Sequence, residues 1–173
     1  MLKEQHFETQ AAMFDALADY CQKAISESLE NDEHCSFMVS GGRTPIALFE
    51  RLINRDIAWS QLGIGLVDER WVDKDHPRSN EAMLEENLLG PLQAQGKALA
   101  VFHGLKNASA NPGEGLAERQ AAYSDFKKPF DLVLLGMGPD GHTASLFPHA
   151  EGLTEALVNV QTLAAVRAKQ SAV

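Results

Sequence analysis

The sequence predicts an α/β domain built on a mainly parallel, doubly wound sheet with helices on both faces. Helical and strand-like patterns alternate along most of the chain, which is typical of parallel strands joined by helical crossovers. An apolar run at 132–135 has the length and composition of a strand buried on both faces. Polar segments, two of them rich in glycine, follow three predicted strands, where open α/β sheets carry their functional loops.

Length and composition limit the classes of function. A chain of 173 residues suits a single domain with a sizeable core. The formal net charge of −9 argues against a nucleic-acid partner, because phosphate backbones require a basic face. The two cysteines, Cys21 and Cys35, indicate no disulfide framework and favour a reducing cytoplasm. The polar amino terminus and the lack of a long apolar run predict neither a signal peptide nor a membrane span.

The first predicted elements are a helix at 9–29 and a strand at 35–39. Apolar residues recur in the helix at spacings of three and four, which indicates one buried stripe. Cys21 lies in that stripe, so we interpret it as a small core residue rather than a nucleophile.

A glycine pair follows this strand, in the segment SGGRTP at 40–45. Thr44 is predicted to cap a helix that continues to residue 53. Free amides beside the positive end of a helix dipole suit a phosphate, although a simple tight turn would explain the same residues. The residues concerned are Ser40, Gly41, Gly42, Arg43 and Thr44.

A second strand at 62–67 ends in three charged residues, Asp68, Glu69 and Arg70. Such a triplet commonly forms a solvated turn, but parallel strands would bring it to the same sheet edge as SGGRTP. The next helix is predicted to begin at Ser79 or Asn80 and to end at Gly90-Pro91. A short strand at 98–102 and a helix at 114–126 precede the apolar run.

The segment after that run, GMGPDGHTASLFP at 136–148, carries the candidate chemistry. A plain turn would account for an Asp-Gly pair, since both residues are common in turns. Histidine as a residue type can take and return a proton near neutral pH, so His142 is the candidate base, and Asp140 can orient its ring. SGGRTP lacks the GxGxxG spacing of a dinucleotide-binding loop, whereas GMGPDG at 136–141 has it. That spacing alone is a weak signal, and we predict no nicotinamide cofactor. No zinc-ligand spacing such as HExxH occurs, so we predict no metal.

Three segments resemble the 6-phosphogluconolactonases: 40–52 with SGGRTP, 67–80 read VDERWVDKDHPRSN, and 136–148. The resemblance extends from about residue 10 to about residue 160. It implies a modified Rossmann-like fold, shared with the glucosamine-6-phosphate isomerase/deaminases. It also implies hydrolysis of 6-phospho-D-glucono-1,5-lactone to 6-phosphogluconate in the oxidative pentose phosphate pathway. The expected partner is therefore a small phosphorylated sugar lactone, and association into a homo-oligomer is left open.

The resemblance also implies roles for individual residues. His142 would act as base and then acid, assisted by Asp140, while Asp68 and Arg70 would face the substrate. The SGGRTP loop, together with Gly138, would contact the substrate and its phosphate. Members of the family that this chain resembles mostly have Ser at the position of Arg43, so a phosphate contact and a solvent-directed side chain are both open for that arginine.

Two alternatives differ in chemistry. The isomerase/deaminases resemble this chain up to the histidine but continue with a segment like IAFNEP, whose Glu assists ring opening. Phe147 occupies that position here and cannot transfer a proton, which favours the lactonase. A non-catalytic sugar-phosphate sensor is the other alternative, although the amino terminus offers no DNA-binding helix pair.

The resemblance weakens towards the carboxyl end. Residues 152–162 still look like family sequence, with a short strand predicted at 156–160, whereas 163–173 do not. We therefore expect one domain, 1–173, that is truncated at its carboxyl end and has an unpaired sheet edge. Such a form would be less stable and less active than a full-length relative.

Overall fold

The computed structural model describes residues 3–158 and 161–167. Four parallel strands form its central sheet: β1 Cys35–Val39, β2 Leu62–Leu66, β3 Val101–His103 and β4 Leu132–Val133. Their spatial order is β3-β2-β1-β4. Phe37 is in register with Ile64 on one side and with Leu132 on the other.

Six α-helices are described around this sheet: α1 Gln10–Leu29, α2 Ile46–Ile53, α3 Asn80–Leu84, α4 Gly90–Ala94, α5 Pro112–Ala122 and α6 Leu153–Val158. Thr9 caps α1 by accepting a hydrogen bond from the amide of Ala12 at 3.2 Å. Ser79 caps α3 in the same way through Ala82, which decides between the two predicted caps.

Alternate side chains of β1 enter two different cores, because neighbouring residues of a strand face opposite sides of the sheet. Phe37 and Val39 join the larger core, to which α1 and α2 contribute. Met38 packs instead against Tyr123 and Phe126, which follow α5. Helical segments therefore cover both faces of the sheet, as the sequence predicted.

The direction of strand addition reverses at β1. From β1 the chain adds β2 and then β3 on one side, and after α5 it adds β4 on the other side. This reversal confirms the predicted doubly wound α/β class. In such sheets the crevice beyond the carboxyl ends of the strands, at the point of reversal, is the usual ligand site.

The predicted cap at Thr44 is wrong. Helix α2 begins at Ile46, and Pro45 occupies the capping position without a side-chain hydrogen bond. The helix therefore begins one residue later than predicted, although Pro45 already has helical backbone angles of φ −66° and ψ −17°. The amide of Ile46 bonds weakly to the carbonyl of Arg43 at 3.4 Å, which closes a turn ahead of the helix.

The helix end predicted at Gly90-Pro91 is also wrong, because the helical path continues to Ala94. A π-helical turn, Glu85–Leu89, separates α3 from α4, and the amide of Gly90 bonds to the carbonyl of Glu85. The wider turn lets Pro91, which has no amide hydrogen, enter at the start of α4. A Cβ on Gly90 would lie 2.9 Å from that carbonyl oxygen, so glycine fits the turn.

The apolar run at 132–135 is not buried on both faces. Leu132 and Val133 pair with β1, the amide of Leu134 adds a hydrogen bond to Met38, and this strand forms an edge of the described sheet. Leu132 and Leu134 pack against the larger core, but Val133 is 44% exposed and Leu135 is 52% exposed. The smaller core around Phe126 does not extend to these two side chains.

The strand predicted at 156–160 is also wrong where it can be checked. Helix α6 occupies Leu153–Val158, and the amide of Ala156 bonds to the carbonyl of Gly152 at 2.9 Å. Glutamate, alanine and leucine in this segment are good helix formers. Residues 159 and 160 lie outside the described part of the chain.

Candidate active site

A cavity of about 1030 Å³ lies where the segments after β2 and β4 meet. Asp68 and Arg70, from the segment after β2, line it together with His142, from the segment after β4. Helix α5 and residues 161–166 complete the walls. The structure thus brings together three of the four predicted catalytic residues in one concave site.

Glu69 fixes the segment after β2 to the start of α3. Its carboxylate accepts hydrogen bonds from the amides of Asn80 at 2.7 Å and Glu81 at 2.8 Å, and from the Ser79 hydroxyl at 3.2 Å. It also accepts one from the amide of Arg70 at 2.8 Å. A carboxylate at a helix amino terminus satisfies free amides and complements the dipole. Glu69 is therefore structural.

Arg70 reaches the cavity with its guanidinium free of carboxylates. Its Nη1 donates to the carbonyl of Arg78 at 2.8 Å, and no ion pair to Arg70 is found among the described residues. In a chain of net charge −9, an arginine without an acidic partner beside a cavity is available for an anionic or partly negative ligand atom.

The carboxylate of Asp68 is held from two sides. Oδ2 accepts from the Ser145 hydroxyl at 2.6 Å, and Oδ1 lies 3.4 Å from Nδ2 of Asn80. The same Asn80 Nδ2 donates to the main-chain carbonyl of Asp68 at 2.9 Å. Asn80 itself is only 1% exposed, and the contacts of Asp68 are partly buried.

His142 is oriented by Asp140. The Asp140 Oδ1 lies 2.5 Å from Nδ1 of the ring and 3.2 Å from the His142 amide. These hydrogen bonds, the ring contact first, hold the pKa of Asp140 below its usual value of 3.8. An ionised Asp140 favours a proton on Nδ1 and leaves Nε2 as the basic nitrogen. Asp140, the fourth predicted catalytic residue, therefore contacts His142 and does not itself line the cavity.

Packing holds the same imidazole from two further directions. Phe147 lies against it with ring centroids 4.3 Å apart and an interplanar angle of 33°. On Gly138, a Cβ would stand 2.1 Å from a ring carbon of His142, so only glycine leaves room for the ring. The structure thus explains Gly138 by its fit to His142, and its predicted contact with substrate stays a prediction.

The SGGRTP loop follows β1 but contributes no residue to the walls of the cavity. Ser40 is buried, whereas Gly42, Arg43 and Thr44 are exposed. Gly41 packs against Asn80, because a Cβ there would be 1.8 Å from its Oδ1. The loop is therefore joined to the Asp68 segment through Asn80, and its phosphate contacts remain predicted.

Comparison with known proteins identifies the family. The model of the glucosamine-6-phosphate isomerases/6-phosphogluconolactonase family matches residues 8–172. The chain belongs to this family. A 6-phosphogluconolactonase of Rhizobium meliloti strain 1021 is 37% identical over 151 residues, which cover 87% of this chain. The chain spans 63% of the length of that relative.

Solved structures of the family support the fold. The 6-phosphogluconolactonase of Shewanella baltica OS155 has a TM-score of 0.83 at 36% identity, covering 96% of this chain and 74% of its own. A monomeric glucosamine-6-phosphate deaminase has a TM-score of 0.67 at 13% identity, covering 93% of this chain and 71% of its own. The second likeness concerns the fold alone.

Several residues of this family site were not predicted from the sequence. Trp71 lines the cavity and is fixed by a hydrogen bond from Nε1 to the carbonyl of Ser109 at 3.0 Å. Arg78 and Arg119 add positive charge to the walls, and Ser145 reaches Asp68. Trp71, Arg78 and Ser145 lie within the segments 67–80 and 136–148 that the sequence analysis singled out, but their residue types and spacing gave them no role there.

The cysteines take no part in this site. Cys21 and Cys35 are free and buried, and burial raises the pKa of each thiol to about 11. A thiol with such a pKa is a poor nucleophile at neutral pH. This confirms the interpretation of Cys21 as a core residue.

Two further properties concern the described residues only. Within 3–158 and 161–167, no three or more His, Cys, Asp or Glu side chains are grouped as metal ligands would be. Over the same ranges, every helix is too short or too polar to cross a bilayer.

Proposed function

We propose that this chain hydrolyses 6-phospho-D-glucono-1,5-lactone to 6-phosphogluconate, as an enzyme of the pentose phosphate pathway. The observation that carries the proposal is that His142, Asp68 and Arg70 line one cavity while Asp140 holds the imidazole at 2.5 Å. The names and 36–37% identities of the Rhizobium and Shewanella relatives support the same substrate.

The proposed reaction uses His142 twice. Its Nε2 takes a proton from a water molecule as the water oxygen attacks the lactone carbonyl carbon. When the tetrahedral intermediate breaks its bond to the ring oxygen, the imidazolium returns that proton to the departing oxygen, which becomes a hydroxyl. Asp140 stabilises the imidazolium formed between the two steps, because it accepts a hydrogen bond from Nδ1.

Arg70 and Asp68 contact different parts of the bound substrate. The Arg70 guanidinium stabilises negative charge on the carbonyl oxygen in the intermediate. Asp68, an acceptor fixed on both oxygens, accepts hydrogen bonds from sugar hydroxyls or the attacking water. We assign the phosphate to the loop that precedes α2, because backbone amides before a helix start suit an anion; the residues are Ser40, Gly41, Gly42, Arg43 and Thr44.

The remaining features of the proposal follow from the chemistry. Hydrolysis of an activated ester needs only water and a proton-transfer group, so we propose that the reaction requires neither cofactor nor metal. The partner is a small-molecule lactone. The two free, buried cysteines support the cytoplasm as the compartment.

The sister reaction, isomerisation and deamination of glucosamine 6-phosphate, is less well supported. Those enzymes resemble this chain through the histidine but have a glutamate at the position of Phe147. The phenyl ring here lies 4.3 Å from the imidazole and has no proton to transfer. We therefore assign this chain to the lactonase side of the family.

A turnover assay tests the assignment. The purified chain is mixed with freshly prepared lactone, and product is followed by coupling to 6-phosphogluconate dehydrogenase. We expect hydrolysis faster than the spontaneous reaction, and no ammonia from glucosamine 6-phosphate. Release of ammonia would identify the isomerase/deaminase instead. Binding of 6-phosphogluconate without turnover of the lactone would identify a sensor.

A further inference from the structure

We propose that Ser145 is a positioning residue for this reaction: its hydroxyl orients the Asp68 carboxylate and ties the His142 segment to the end of β2. The inference rests on the proposed lactone hydrolysis. Ser145 and Asp68 are 77 positions apart, and their side chains form a partly buried hydrogen bond of 2.6 Å. It is a direct side-chain bond between the segment of the proposed base and the segment of Asp68 and Arg70.

The bond fixes a carboxylate that would otherwise be held on one oxygen only. Asn80 approaches Oδ1 at 3.4 Å, a long contact, whereas Ser145 donates to Oδ2 at 2.6 Å. A hydrogen bond to an ionised group is shorter and stronger than one between neutral groups. Of these two contacts, the one with Ser145 therefore restrains rotation of the Asp68 carboxylate about its Cβ–Cγ bond more strongly.

The backbone around Ser145 is held in an unfavourable conformation. The amide of Leu146 bonds to the carbonyl of Thr143 at 3.0 Å, which closes a tight turn. Within it, Ala144 has a φ of 49°, in the left-handed region that a residue with a Cβ rarely adopts. Such conformations persist when surrounding contacts determine them, and they concentrate at functional sites.

Two side-chain bonds anchor this turn. Thr143 donates from Oγ1 to the carbonyl of Gly136 at 2.9 Å, which ties the turn to the segment that follows β4. Ser145 donates to Asp68, which also lines the cavity. The first anchor is local, whereas the second sets the position of the turn relative to the neighbouring segment. Loss of the second therefore changes the geometry between His142 and Asp68 rather than the turn alone.

The first experiment compares three variants in the lactone assay. Ser145→Ala removes the donor, Ser145→Thr restores a hydroxyl, and Ser124→Ala removes an exposed serine that bonds only within its own turn. We expect Ser145→Ala to lower kcat about ten- to hundredfold, the effect of one hydrogen bond to a charged group, with KM changed much less. Ser145→Thr should recover most of kcat, and Ser124→Ala should behave as wild type.

The proposal is overturned if Ser145→Ala keeps kcat within about twofold of wild type, or if Ser145→Thr is as slow as Ser145→Ala. A rise in KM with unchanged kcat would also contradict it, because that result describes a substrate contact rather than positioning. If the wild-type chain itself does not hydrolyse the lactone, the proposed function fails, and the following measurement still tests the contact.

The second experiment needs no turnover. Melting temperatures are measured for Ser145→Ala, Asp68→Ala and the double variant. If Ser145 acts through Asp68, its replacement should lower the melting temperature by about 3–10 °C in the wild-type background and by almost nothing once Asp68 is absent. Additive losses would show that the two residues are independent and would overturn the inference.

Discussion

His142 is held by contacts of three kinds. Asp140 binds Nδ1 at 2.5 Å, Phe147 lies against the ring at 4.3 Å, and Gly138 provides the space beneath it. The hydrogen bond to Nδ1 fixes the direction in which the ring nitrogens point, while the two packing contacts fix the position of the ring. A general base positioned in this way loses efficiency when the ring moves by as little as 1 Å, a displacement that costs on the order of a hundredfold in rate.

Gly138→Ala tests this packing. Its new Cβ would stand 2.1 Å from the imidazole, so the ring must move. We expect kcat for the lactone to fall by about ten- to a hundredfold. Gly136→Ala is the matched control, because a Cβ there has no heavy atom within 4 Å. Equal activity of the two variants would show that the position of the imidazole does not depend on Gly138.

Strand β4 positions the His142 segment, yet its two faces differ. Leu132 and Leu134 pack on the larger core, and the amide of Leu134 bonds to the carbonyl of Met38 at 2.8 Å. Val133 and Leu135 face away from that core and are about half exposed. Among the described residues, the strand that leads to His142 is therefore packed on only one of its two faces.

This asymmetry predicts unequal effects of the same substitution at neighbouring positions. Leu134→Ala should lower the free energy of unfolding by about 1–3 kcal/mol, because it leaves a gap against a packed core. Leu135→Ala should change it by no more than about 0.5 kcal/mol. Urea unfolding of both variants gives the two values. Similar losses would mean that the outer face of β4 is also packed in solution.

A polar cluster joins the elements at the opposite end of the sheet from the cavity. The Asp131 carboxylate accepts hydrogen bonds from Ser28 in α1 at 2.8 Å, from the amide of Ser36 in β1 at 2.8 Å, and from Lys127 at 2.5 Å. Burial raises the pKa of Asp131, but these hydrogen bonds outweigh burial and hold the pKa below its usual 3.8. The cluster therefore links α1, β1 and the start of β4.

The lowered pKa makes stability depend on pH in a defined direction. A carboxyl group whose pKa is lower in the folded state stabilises the fold above its unfolded pKa, and this contribution is lost as pH falls through the folded value. Wild type should therefore lose stability below about pH 4 more steeply than Asp131→Asn. Asp56→Asn, which removes one exposed carboxylate, is the control. Parallel pH profiles for wild type and Asp131→Asn would contradict the role of the cluster.

Local patterns predicted the fold well where they coincided with packing. The apolar run Cys35–Val39 is the strand as predicted, and Thr9 caps α1 at its predicted start. The same local patterns gave wrong predictions where contacts distant in sequence determined the structure. A π-helical turn carries the chain through Gly90-Pro91, and the run at 132–135 is half exposed because the smaller core ends before it.

The candidate site was predictable in part for the same reason. Parallel strands bring their carboxyl ends to one edge, so Asp68 and His142 could be expected near one another. Asn80 and Ser145 could not, because a buried amide at a helix start and a serine in a turn have no distinctive sequence pattern. Their roles follow from contacts made across 12 and 77 positions.

The most direct test of the account is the rate of lactone hydrolysis by wild type, His142→Ala and His34→Ala. His34 is an exposed histidine outside the site and serves as the control. Wild type and His34→Ala should hydrolyse the lactone equally, and His142→Ala should be slower by about two to four orders of magnitude with a similar melting temperature. If His142→Ala retained most of the wild-type rate, His142 would not be the base, and the proposed mechanism would be wrong.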